Sequence, residues 1–302
     1  MNLTSHTAPT GQSSHTEEGK VSRAERGGGK PALHFYSTFP STPVKAVVAL
    51  VHGYADYGGR YAHVAEAWAE RGIATIAIDL RGHGRSDGMR GYCNRFDEYL
   101  DDVSELVALV RRRAASVPAI LFGHSFGGLV AASSALVDQS PWRGLVLSSP
   151  YFGIRLKISV TKWVAGQIAS RVWPSLSLAS GLNGADIIRD GVRARAYDAD
   201  PLVFGKANVR WFTEAQAAQA SALARAPSLT LPLYVVGGSG DRLAEIEQEK
   251  AFFDRAGSKD KTLDVIDGGF HEILNEPDWR PTVDAIAAWI LAHAGAGALE
   301  KR

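Results

Sequence analysis

Cys93 is the only cysteine in 302 residues, so the chain can form neither an intrachain disulfide nor a multi-cysteine metal centre. A lone thiol suits a reducing compartment, and Cys93 reads as a packing residue. Charge of one sign is also lacking: 33 Lys and Arg stand against 32 Asp and Glu, a net charge of +1. The cations are spread along the chain, which removes the electrostatic footprint that nucleic-acid binding requires. No stretch reaches the ~18 uninterrupted apolar residues of a membrane span. No apolar segment follows Met1 in the manner of a secretory signal, so a cytoplasmic protein is expected. No His, Cys and Asp cluster has metal-ligand spacing and no strand-linked Gly-x-Gly-x-x-Gly occurs, so neither a metal nor another cofactor is expected.

What is present is a composition ordinary for a globular enzyme, 45% hydrophobic and 22% charged, in a chain long enough for one sizeable core. Residues 1–30, rich in Ser, Thr, His and Gly, read as a disordered tail. Gly27-Gly28-Gly29-Lys30 lacks the preceding strand and the ending of a phosphate-binding loop, and reads as linker. From Lys45 onward, short β-branched runs alternate with helical periodicities. Lys45 to Val51, Ile73 to Asp79, Ala119 to Phe122, Leu145 to Ser148, Leu233 to Gly237 and Leu263 to Ile266 read as buried strands. The clearest helix carries Phe96, Tyr99, Leu100, Val103, Leu106, Val107 and Val110 on one face. It ends in Arg111-Arg112-Arg113, a solvated run that complements the helix dipole. A last helix presents Val283, Ile286, Trp289 and Ile290.

This alternation predicts an α/β fold, a mostly parallel sheet with helices on both faces and ligands gathered beyond the carboxyl ends of its strands. It stops after Pro150 and resumes near Pro232. Residues 31–150 and 230–297 are therefore expected to form the core domain, with 151–229 an inserted, mostly helical cap. The cap begins with an alternating stretch, Ile154, Leu156, Ile158 and Val160. A helical stripe follows, Val160, Trp163, Val164, Ile168, Val172 and Trp173, flanked by Arg155, Lys157, Lys162 and Arg171. Either this stripe packs on the sheet domain, or it lines an entrance and touches lipid surfaces.

Gly123-His124-Ser125-Phe126-Gly127 sits between an apolar strand and a small-residue helix, the layout of a nucleophile elbow. Ser125 is the candidate nucleophile. A serine hydroxyl needs a base, and the base needs an acid to hold its tautomer and stabilise its cation. In this layout both follow the serine, acid first. Of the two later histidines, His293 lies in the terminal helix, whereas His271 follows a strand and the turn Asp267-Gly268-Gly269-Phe270. His271 is the expected base. Asp241, on the loop after Leu233 to Gly237, is the expected acid, with helix N-capping as its alternative. Asp254, Asp260, Asp264 and Asp267 compete less well, and Asp198 and Asp200 read as structural. Donors to an oxyanion would be the backbone N–H groups of Phe126 and of Tyr54, on the loop opened by His52-Gly53. His52 reads as orienting that loop, and His83 as part of a turn.

Together, His52-Gly53, Gly59-Arg60-Tyr61, Asp79 with Gly82-His83-Gly84 and Ser86, the serine elbow, Ser149-Pro150, Asp241-Arg242 and Gly269-Phe270-His271 resemble the monoacylglycerol lipase and lysophospholipase group of serine α/β-hydrolases. Pro174 to Leu178, Tyr197, Asp200 to Leu202 and Asp260 to Leu263 extend the resemblance. It implies an α/β-hydrolase fold, ester hydrolysis through an acyl-enzyme without a cofactor, and a lipid or ester substrate. Asp56 and Arg60 would lie near the polar head group, or form an ion pair anchoring their loop; Trp163 would touch the substrate. The cap could make transient membrane-surface contact. Tyr54 departs from the small residue the group often has there. Lysophospholipase, general carboxylesterase, peptidase of the same fold and non-catalytic binding protein remain alternative readings. Acyl length, regiochemistry and oligomeric state are not encoded in these motifs.

Overall fold

The apolar runs as far as Gly237 become strands buried on both faces, Leu263 to Ile266 becomes part of a half-buried edge strand, and helices cover both faces of the sheet. The computed structural model describes residues 3–6, 14–21, 31–155 and 159–295, the side chains of residues 3–6 and of Lys162 excepted. In chain order its strands are β1 (Leu3–His6), β2 (Ser14–Val21), β3 (Leu33–Pro40), β4 (Ala46–Val51), β5 (Ile73–Ile78), β6 (Ala119–His124), β7 (Gly144–Ser148), β8 (Ser177–Ala179), β9 (Lys206–Asn208), β10 (Leu233–Gly238) and β11 (Lys261–Ile266). Its α-helices are α1 (Ala62–Ala69), α2 (Asp97–Arg113), α3 (Phe126–Val137), α4 (Val160–Val172), α5 (Gly184–Ile187), α6 (Gly191–Ala199), α7 (Val209–Arg225), α8 (Ile246–Arg255) and α9 (Trp279–Gly295).

One sheet runs β1-β2-β3-β5-β4-β6-β7-β10-β11, and β8 and β9 form a separate antiparallel pair. The sheet is parallel from β5 to β11 and antiparallel at its β1-β2-β3 end. Side chains along β4 divide by parity, as a strand's pleat requires. Val47, Ala49 and Val51 join α2 and α3, whereas Ala46, Val48 and Leu50 join α1 and α9. The chain passes from β4 outward to β5, then back across to β6. The crevice beyond the ends of β4 and β6 is thus the switch point where such sheets bind ligands. No described helix is long and apolar enough to cross a membrane.

Three expectations are corrected and one open alternative is decided. Residues 3–6 and 14–21 are not tail but strands, β1 pairing with β2 and β2 along its whole length with β3. β2 is polar, and ion pairs from Glu17 to Arg113, Glu18 to Arg85 and Lys20 to Asp87 supplement its ladder, so hydrophobic periodicity could not reveal it. Arg113 is accordingly not a solvated helix end: it is bidentate on Glu17 at 2.7 and 2.8 Å and lies over the Phe35 ring. The core also reclaims part of the segment assigned to the cap. Trp211, Ala215, Ala218 and Ala222 of α7 pack into the same cluster as α3 and the sheet. Lastly, the α4 stripe does not pack on the sheet domain, because Val160, Ile168, Val172 and Trp173 are exposed by 58–80%. Ile154 makes only an isolated antiparallel bridge to Ala244, and Val160 begins a helix, so the alternating stretch is not a strand. Leu156, Lys157, Ile158 and residues 22–30 lie outside the described residues.

Candidate active site

The turn between β6 and α3 is one that only this glycine pattern permits. A Cβ on Gly123 would lie 2.3 Å from the Gly127 carbonyl oxygen, and one on Gly127 would lie 2.3 Å from the carbonyl oxygens of Val51 and His52. These neighbours are backbone and cannot yield. Between them Ser125 adopts φ 53° and ψ −120°, a conformation costly for any residue with a side chain, and its carbonyl accepts from Gly128, Leu129 and Tyr151. The strain is held in place by the parallel ladders on either side of β6, and it lifts the hydroxyl clear of the sheet.

Three residues far apart in sequence meet here. His271 Nε2 lies 2.8 Å from Ser125 Oγ, and His271 Nδ1 lies 2.7 Å from Asp241 Oδ2. Asp241 divides its labour: Oδ1 accepts from the Leu243 and Ala244 N–H groups at 2.7 and 2.9 Å, leaving Oδ2 to the histidine. Asp241 does not N-cap the following helix, whose N-cap is Glu245; the Asp241 Oδ1 closes a turn within its own loop. Burial opposes charge on both partners, yet each outweighs it for the other. The Asp241 carboxylate holds the His271 imidazolium above the ordinary histidine range, and His271 holds Asp241 below the usual carboxylate range.

The competing residues are engaged elsewhere. His293 contacts the Trp289 carbonyl and Asp260, Asp264 accepts from the Tyr234 hydroxyl, and Asp267 accepts from Ser239. His52 orients its loop as expected: Nδ1 lies 2.7 Å from the Gly53 carbonyl, and Nε2 accepts the Leu80 N–H at 2.9 Å. His83 closes a turn onto the Arg81 carbonyl, and burial lowers its pKa to about 3. Cys93 is buried, with its thiol pushed up to about 12.

Gly53 lies against Ser125, since a Cβ there would come within 3.4 Å of the Ser125 Cβ. That contact sets the Tyr54 backbone beside the elbow. The Phe126 N–H opens α3, where helix donors have no intrahelical partner. A cavity of about 780 Å³ reaches Ser125 and His271 and is lined by Tyr54, Asp56 and Phe126, and from the cap by Trp163, Tyr197 and Phe204. Arg60 is not among its lining residues. The guanidinium is bidentate on Glu272 at 2.8 and 2.6 Å and reaches Asp56 at 2.9 Å, so it anchors its loop instead of meeting a head group. Asp56 also accepts from the Tyr61 hydroxyl at 2.9 Å. Burial works against the Asp56 charge, but Arg60 keeps that carboxyl below its usual range.

Glu272, Trp211, Phe204 and Asn208 escaped the sequence reading. Glu272 is a lone carboxylate beside His271 with no local signal. Asn208 had one: it N-caps α7, its Oδ1 accepting from Arg210 and Trp211 N–H at 2.9 and 3.1 Å. Glu249 is a further buried carboxyl, in the small space Gly237 leaves it, with neither oxygen bonded among the described residues. Burial, and then the Asp241 charge, hold it well above the ordinary carboxylate range. No group of His, Cys, Asp and Glu among the described residues has metal-site geometry.

The profile of the family described as "Serine aminopeptidase, S33" matches residues 42–278. A monoacylglycerol lipase of Mycolicibacterium smegmatis is 32% identical over 255 residues, 84% of this chain and 91% of that one. A phospholipase of Bacillus subtilis is 31% identical over 246 residues, 81% of this chain and 94% of that one. The crystal structure of Paleococcus ferrophilus monoacylglycerol lipase superposes with a TM-score of 0.78 at 28% identity, covering 86% of this chain and 99% of that one. The chain belongs to this family of serine α/β-hydrolases, in its monoacylglycerol lipase and lysophospholipase group.

Proposed function

We propose that the protein is a carboxylic ester hydrolase that releases fatty acid from monoacylglycerol through an acyl-enzyme on Ser125. The observation that carries this reading is the Ser125, His271 and Asp241 chain of contacts at the floor of a largely apolar cavity. His271 Nε2 takes the Ser125 proton as Oγ bonds to the ester carbonyl, and the N–H groups of Tyr54 and Phe126 hold the oxyanion. Collapse breaks the ester C–O bond, and the imidazolium returns its proton to the departing glycerol oxygen. Water then adds with His271 as base, and fatty acid leaves Ser125.

A cavity of about 780 Å³ fits one acyl chain with a small head group, within the ~300–1,000 Å³ common for single ligands. Trp163 would touch the acyl chain, and Asp56 would face the glycerol end, its charge already balanced by Arg60. The exposed α4 stripe would rest on lipid surfaces, making this a cytoplasmic protein that meets membranes peripherally. The peptidase reading fits less well. It needs cap carboxylates free for a substrate amine, but Asp190 caps α6, Asp200 takes the Tyr57 hydroxyl and Asp198 takes the Gly184 N–H, which leaves Asp186, on the cavity wall and held by the Asn183 N–H at 3.4 Å, as the one candidate.

A panel at matched concentration tests the assignment: monoacylglycerol, triacylglycerol of the same chain length, lysophospholipid, a short p-nitrophenyl ester and an aminoacyl amide. Monoacylglycerol should be cleaved fastest among the lipids. A clear preference for lysophospholipid or the amide would overturn the head-group assignment while leaving serine ester chemistry intact.

A further inference from the structure

The Tyr54 backbone belongs to the oxyanion loop, but its side chain leaves that loop and crosses to the cap. Its hydroxyl donates to the Gly91 carbonyl at 2.9 Å and accepts the Asn208 N–H at 3.1 Å. Its ring stacks on Trp211, with centroids 3.6 Å apart and planes at 24°, and meets Phe126 and Phe204 edge-on. Gly91 is fitted to this hydroxyl. It sits at φ +63°, and a Cβ there would lie 2.2 Å from the Tyr54 oxygen.

Asn208 carries the connection onward. Its side chain is fully buried, and Nδ2 donates to the Pro174 and Leu176 carbonyls at 3.2 and 3.0 Å, on the segment that follows α4. One phenol therefore joins the loop after β4, the loop after β5 and the hub of the cap. An oxyanion donor is effective only if its N–H is already aimed before charge develops, and a loop held at both ends keeps that aim.

We propose that the Tyr54 side chain is a positioning residue, a clamp through Gly91 and Asn208 that seats the oxyanion loop against the cap and so aims the Tyr54 N–H at the reacting carbonyl. This rests on the acyl-enzyme reading above and adds a residue whose side chain acts through its own backbone. The clamp predicts that slackening it harms the transition state more than substrate binding.

Tyr54→Phe keeps every ring contact and removes both hydroxyl bonds. On a short p-nitrophenyl ester its kcat should fall about 10-fold, less than the ~10²-fold or greater cost of losing a whole oxyanion donor. KM should stay within about twofold, and affinity for an alkyl boronic acid, which mimics the tetrahedral oxyanion, should fall by about the same factor as kcat. The acid limb of the pH profile should not move, since His271 and Asp241 are untouched. Gly91→Ala keeps the phenol but drives a Cβ into its hydroxyl's seat, which displaces it, and should reproduce the kcat loss. Unchanged kcat and boronate affinity with only a lower Tm, or a rise in KM alone, would overturn the clamp. Wild-type hydrolysis that depends on Ser125 would still stand in either case, which separates failure of the clamp from failure of the enzyme assignment.

Discussion

Arg60 lies bidentate on Glu272, at 2.8 and 2.6 Å, and Glu272 is the residue after His271. The same guanidinium holds Asp56, three residues after Gly53, so one cation ties the loop that carries Tyr54 to the loop that carries His271. Both carboxylates are buried and the Arg60 side chain is 11% exposed, with the Tyr197 ring 4.7 Å from the guanidinium carbon. Arg60→Met strands two buried carboxylates. It should cost about 3–5 kcal/mol in urea unfolding, the range seen when one member of a buried pair is removed. Arg95→Ala, at a pair two-thirds exposed on both sides, should change little. Similar losses for the two variants would mean that the buried network does not brace the site.

Activity should rise with pH through the His271 titration. Only the neutral imidazole can take the serine proton, and Asp241 holds the cation above the ordinary value of about 6.5. The midpoint of the acid limb of kcat/KM should therefore lie above about pH 6.5. In Asp241→Asn the main attraction is lost and burial is opposed only by the Glu272 and Asp56 charges, so the limb should move to lower pH while the rate collapses by about 10⁴-fold. A wild-type profile flat down to pH 5 would exclude His271 as the base.

Glu249 should make the fold less stable as pH rises. Its folded pKa is raised above the unfolded value near 4.5, so the folded state holds a proton that the unfolded state has released. That linkage costs nothing below pH 4.5 and grows between there and the folded pKa. Glu249→Gln, which cannot ionise, should match the wild-type Tm at pH 4 and exceed it increasingly from pH 5 to 8. A constant difference across that range would show that the carboxyl does not titrate in this way.

The α4 stripe makes a separable demand. Trp163 is 47% exposed and also lines the cavity, so Trp163→Asp should weaken liposome binding and long-chain hydrolysis while sparing a short soluble ester. Equal losses on both substrates would assign Trp163 to the fold.

The meeting of Ser125, His271 and Asp241 was legible because its constraints are local or topological. Gly123 and Gly127 mark a turn that backbone crowds on both sides of the serine, and only two histidines follow Ser125, one of them in a terminal helix. The central strands were legible because each is buried on both faces and reads as an unbroken apolar run. What escaped depends on distance or polarity. β2 is secured by a ladder and ion pairs, Glu272 finds Arg60 across 212 positions, and Glu249 points inward from a helix on which nearby Glu247 is solvated. α7 shows mixed small and aromatic residues, a pattern equally suited to a cap or a core, and only packing against α3 decides it.

The decisive measurement is the initial rate of fatty-acid release from dispersed monoacylglycerol by the wild type and by Ser125→Ala, each shown to be folded by its Tm. The wild type should turn over, and the variant should be slower by about 10⁴-fold or more, as expected when a covalent nucleophile is removed from an otherwise intact site. A folded Ser125→Ala protein that keeps more than a few per cent of the wild-type rate, or a wild type that releases no fatty acid from this substrate, would contradict the proposed function.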